Sequence, residues 1–151
     1  MSVRACTIER MFESLMVDPD ADESALVERI AELERVKSAA AAGQARAAAA
    51  LDATRRTAEA AAGVPAAGRG RGVASEIALA RRDSPVRGNR HLGFAKALVY
   101  EMPHTLAALE AGVLTEWRAT LIVRESACLD VEDRAMLEIC GSAWEGAYLP
   151  G

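Results

Sequence analysis

Residues 22–62 read DESALVERIAELERVKSAAAAGQARAAAALDATRRTAEAAA, and this stretch decides the fold. Alanine has the best helix propensity of any residue, and the run contains no proline. Leu26, Ile30, Leu33, Val36, Ala40, Ala47, Leu51, Thr54 and Ala58 recur at intervals of three, four or seven, the period of a helix face. Asp18-Pro19-Asp20 breaks the chain ahead of it, Asp22 or Ser24 can cap it, and Asp20, Asp22 and Glu23 suit its positive end. Gly63-Val64-Pro65 stops it. At about 1.5 Å per residue the predicted helix spans roughly 60 Å, longer than a domain of this size is wide. Its protruding stripe therefore needs a cover: another long helix, sequence further downstream, or a second copy. Gly43 weakens the middle by about 1 kcal/mol relative to alanine and marks a bend or a close helix contact.

The remaining composition agrees with an all-α fold. Across 151 residues aromatics make up only 4%, and β-branched or aromatic residues never alternate as a strand requires. The length fits one domain. No apolar run is long enough to cross a membrane, and Glu9, Arg10 and Glu13 interrupt what would be a secretory signal, so the chain reads as cytoplasmic with no membrane partner. Three cysteines without a Cys-x-x-Cys pair give neither a disulfide framework nor a zinc site. Cys6, Cys128 and Cys140 read as small buried hydrophobes.

Four segments follow. Residues 1–20 hold an amphipathic piece with Ile8, Met11, Phe12 and Leu15 on one side; 22–62 is the long helix; 63–72 is a flexible Gly/Arg-rich linker; 73–145 is a helical bundle of the same domain. Within the bundle a short helix runs from Val73 to Arg82. Ser84-Pro85 opens another that runs to Glu101, with Leu92, Ala95, Leu98 and Val99 inward. Pro103 restarts the chain, Gly112 sits where a left-handed C-cap is wanted, and Thr115 caps a helix with Trp117, Leu121 and Ala127 or Cys128 inward. Asp130 caps a last helix toward Trp144.

Charge is unevenly placed. Arg69, Arg71, Arg81, Arg82, Arg87, Arg90 and Lys96 face only Glu76 and Asp83, a local +5 in a chain of net −4, which leaves −9 for the rest. One face thus suits a polyanion such as DNA, and a solvated arginine-rich surface is the plainer reading. The glycines at 68, 70 and 72 are no phosphate loop: no strand precedes them and no Gly-Lys-Ser/Thr follows. His91 and His104 lack partners in metal-ligand spacing, and no pair of carboxylates stands out, so neither a catalytic residue, a metal nor a cofactor is expected. Leu106-x-x-Leu109-x-x-Gly112-x-Leu114-Thr115 has the glycine turn of a helix-turn-helix, a geometry that any tight αα-corner shares.

The block from Met102 to Ala119, MPHTLAALEAGVLTEWRA, resembles the most recognisable part of the actinobacterial domain-of-unknown-function family 222. Arg124 to Leu129 and Glu132-Asp133-Arg134 fit it, and Ile77 to Arg82 with the alanine-rich helix are similar too. The family resembles the N-terminal region of HNH-endonuclease-like proteins and is related to the mycobacterial thirteen-E-twelve repeat proteins. That resemblance implies a helical accessory domain that engages DNA or mediates assembly. The chain itself carries no His-Asn-His motif and no zinc-binding cysteine pairs, so it is not expected to cut DNA. Two expectations follow. Either the basic stretch 69–96 binds DNA phosphates, or the long helix makes a homo-oligomer with no nucleic-acid contact.

Overall fold

A computed structural model describes residues 13–130, 132–134, 136 and 138. The described residues form an all-α fold without strands. Its helices are α1 (Glu23–Ala61), α2 (Val73–Ala80), α3 (Pro85–Tyr100), α4 (Pro103–Glu110) and α5 (Glu116–Glu125), with short 3₁₀ turns at Ala66–Gly68 and Ser126–Cys128. The chain is helical again at Glu132. Ile8, Met11, Phe12, Cys6, Cys140 and Trp144 lie outside the described residues.

Helix ends follow the local chemistry. The Asp22 carboxylate accepts the Ala25 N–H at 2.9 Å, and this bond, then the Ser24 hydroxyl, hold the Asp22 carboxyl below its ordinary range. At the other end of α1 the Val64 N–H reaches back to the Glu59 carbonyl and the Gly63 N–H to that of Ala60, a Schellman stop. Helix α4 ends the same way, through Val113 to Ala108 and Gly112 to Leu109. There Gly112 has φ +73°, and an added Cβ would lie 2.7 Å from the Cβ of Arg35 on α1, so both conformation and space call for glycine. Thr115 caps α5 by accepting the Arg118 N–H, and the Asp130 carboxylate accepts the Asp133 N–H at 2.9 Å.

Helix α1 packs against each of the other four, α2 lies on α3, and α4 and α5 close the bundle. The buried side of α1 is Ser38, Ala41, Ala42, Ala45, Ala48, Ala49 and Asp52. Against it lie Val73, Ile77, Ala95, Leu98, Met102, Leu106, Leu109 and Ala119. Alanine on the central helix lets its neighbours approach closely, which is how a core with few aromatics closes. The face expected from the sequence is a different one. Leu26, Ile30, Val36 and Leu51 are exposed, because the bundle buries Ser38 and the alanines from 41 onward, and α1 has no buried residue ahead of Ser38. Gly43 marks neither bend nor contact: it lies exposed within an unbroken helix, with open space where a Cβ would be.

In α5 the inward residue is Ala119, followed by Ser126, with Val123 partly buried. Trp117 is 66% exposed, and Ala127 and Cys128 are exposed too. The Thr115 cap sets the phase of α5, and that phase turns the small Ala119 toward the core instead of the indole. Cys128, expected to be buried, is exposed in the 3₁₀ turn beyond α5.

Candidate nucleic-acid interface

The 63–72 segment, expected as a Gly/Arg-rich linker, makes hydrogen bonds to α1 and within itself. Arg69 Nε donates to the Val64 carbonyl at 2.8 Å, and the Gly70 N–H donates to the Glu59 carboxylate at 2.6 Å. Gly70, at φ +76°, sits so close to Asp52 and Arg56 that an added Cβ would come within 2.9 Å of both. Asp52 is almost fully buried and accepts Arg56 Nε at 2.9 and 3.0 Å and Lys96 Nζ at 3.3 Å. A buried carboxylate needs such partners, so Lys96 is a structural cation joining α3 to α1.

Two other members of the basic stretch are also spoken for. Arg81 bonds Gln44 and reaches Glu116 at 3.1 Å, tying α2 to α1 and α5. Arg87 lies 3.5 Å from Asp83, which also accepts from the Ser84 N–H at 2.8 Å and meets His91 Nε2 at 3.0 Å. The His91 contact first, with the Ser84 N–H and Arg87 behind it, holds the Asp83 carboxyl below its ordinary range. The His91 ring is thus directed to Asp83. The stretch's other acid, Glu76, is bound by Arg55 at 3.0 Å.

Arg71, Arg82 and Arg90 are exposed, with no ion pair among the described residues, and Arg69 commits only its Nε, to a backbone carbonyl. The seven expected residues therefore divide into four with guanidinium charge to spare and three used by the fold. Arg87 has its partner Asp83 four residues away, within the stretch, whereas the partners of Arg81 and Lys96 (Gln44, Glu116 and Asp52) lie far away in sequence, where the charge pattern could not find them.

A cleft of about 210 Å³ opens beside this face, lined by Ala45, Ala48, Leu51, Ile77 and Phe94, with Gln44, Glu76, Arg81 and His91 as its polar groups. Each polar group already has a partner within the chain: Gln44 and Arg81 hold each other, Glu76 holds Arg55, and His91 holds Asp83. The cleft accommodates an apolar group and presents no nucleophile with an adjacent base. Among the described residues no group of three or more His, Cys, Asp or Glu is placed to hold a metal ion, and no helix is long and apolar enough to cross a membrane.

No protein-family model, no curated protein and no solved structure matches the chain.

Proposed function

We propose that the chain is a non-catalytic helical accessory module, of the kind found beside HNH-nuclease domains, that holds DNA phosphates through Arg69, Arg71, Arg82 and Arg90. The observation that carries the reading is that Arg71, Arg82 and Arg90 are exposed and Arg69 half-buried, none with a carboxylate partner among the described residues, in a chain that is otherwise acidic. Arg69 and Arg71 sit on the 63–72 segment, which the Gly70 N–H ties to the Glu59 carboxylate of α1 and the Arg69 Nε bond to the Val64 carbonyl braces internally. Contacts of this kind release counterions and add affinity with little sequence preference.

The test is fluorescence anisotropy of a labelled random duplex at low salt. Arg71→Ala, Arg82→Gly and Arg90→Ala combined should weaken binding about tenfold or more. Arg124→Ala is the control, since Arg124 is held by its neighbour Glu125 at 2.8 Å and should leave affinity unchanged. Equal affinity of the triple variant and the parent, or no binding by the parent, would sink the assignment.

A further inference from the structure

Helices α2 and α3 are joined by residues 81–84 alone, and they cross so closely at Gly88 that a Cβ there would meet the Ala74 backbone carbonyl. Two helices locked together across a short turn, the second exposed along its outer side, make the layout of a helix-turn-helix. Helix α3 buries Gly88, Ala95 and Leu98. On its other side Val86, Asn89, Arg90 and Gly93 are all exposed, and their spacing of i, i+3, i+4 and i+7 places them on one face. Val86 is 67% exposed, and nothing lies within 4 Å of where a Gly93 Cβ would be. The Asn89 amide has no hydrogen bond among the described residues.

Charge indicates what this face meets. Residues 84–100 hold no acid, in a chain of net −4. Arg87 and Lys96, at the sides of α3, are met by Asp83 and Asp52. Arg90 on the outward face and Arg82 in the turn have no carboxylate partner among the described residues, so their charge is left for an anionic partner. Helix α5, which also follows a tight turn, offers no such face: its exposed residues include Glu125, paired with Arg124, and the bulky Trp117.

We infer that α3 enters the major groove of duplex DNA and reads sequence there, Asn89 holding the N6 and N7 edge of an adenine and Val86 packing on a thymine methyl group. The major groove, about 12 Å wide, admits one helix, and asparagine makes two hydrogen bonds to adenine and to no other base edge in that groove. The missing side chain at Gly93 lets the helix seat close to the bases, while Arg82 and Arg90 take the phosphates on either side. The inference rests on the DNA reading above and adds to it a preference for sequence, which the phosphate contacts do not supply.

The experiment is selection of bound duplexes from a random pool by the full chain, followed by anisotropy on the selected and on a random duplex. The parent should enrich a site in which an A·T pair is required and bind it about tenfold tighter than the random duplex. Asn89→Ala should lose about tenfold on the selected site and nothing on the random one, with an unchanged salt slope, because it removes no phosphate contact. Uracil in place of thymine in the selected site deletes only the methyl group; it should weaken the parent about fourfold and leave Val86→Ser nearly unaffected. Asn89 and Val86 are exposed, so helicity by circular dichroism should match the parent in both variants. A parent that binds the random duplex but enriches no site overturns this inference and leaves the phosphate contacts standing. So does an Asn89→Ala variant that keeps the full preference. A parent that binds no DNA overturns both.

Discussion

Arg82 occupies the left-handed region at φ +57°, where the ends of α1 and α4 use Gly63 and Gly112. Its backbone makes the same Schellman bonds, Asp83 N–H to the Ala78 carbonyl at 2.8 Å and Arg82 N–H to that of Leu79 at 3.1 Å. Arginine is strained there, and Arg82→Gly should raise stability in urea by about 0.5–1 kcal/mol while removing one proposed phosphate contact. A variant that loses stability would show that Arg82 holds the turn through its side chain. Gly88 is the opposite case, a helical glycine at the crossing of α2 and α3. An added Cβ would fall 2.0 Å from the Ala74 carbonyl oxygen and 3.0 Å from the Ala78 Cβ. Gly88→Ala should therefore cost about 3 kcal/mol by forcing the two helices apart, measured by the same denaturation. Gly112 could be read from the sequence, as a glycine after an apolar helix. Gly88 could not, because a close crossing depends on which face of a distant helix arrives there.

Helix α4 starts at Pro103 with no capping side chain of its own, since its N-cap is Met102. The buried Glu138 takes that place from outside, accepting the His104 N–H at 2.7 Å and the Thr105 N–H at 2.9 Å, with the Thr105 hydroxyl bonded to the same carboxylate. A negative group at a helix N-terminus is favoured by both the free N–H donors and the dipole. Glu138→Ala should lower stability by about 1–2 kcal/mol and speed amide exchange at His104 and Thr105; unaltered exchange there would refute the cap. Arg134 does a similar task nearby, bonding Glu101 and donating to the carbonyls of Ser126 and Leu129 at 3.2 Å. Much of the 102–134 block is thus engaged in holding its own helices together. Helix boundaries were legible because Asp22, Gly63, Pro85, Gly112 and Thr115 carry local rules. Facing was less so. In an alanine-rich helix both sides look apolar, and the stripe of larger residues from Leu26 to Leu51 outweighed the alanines that the bundle buries.

The molecule divides its labour between a bundle that begins at Ser38 and an arm of α1 that precedes it. Basic side chains are divided likewise: Arg81 and Lys96 bind the helices to one another, while Arg71, Arg82 and Arg90 face solvent. The sequence located the basic stretch and could set aside only Arg87, beside Asp83, since the acids that meet Arg81 and Lys96 come from α5 and α1. Counterion release gives the division a numerical consequence. Anisotropy titrations of parent and Arg71→Ala/Arg82→Gly/Arg90→Ala protein, repeated across salt concentrations, yield the slope of log K against log[salt] for each. With about 0.9 per phosphate contact, the parent slope should be steeper than that of the variant by about 2.7. Equal slopes would mean that these three arginines touch no phosphate and that the proposed nucleic-acid face is solvated surface.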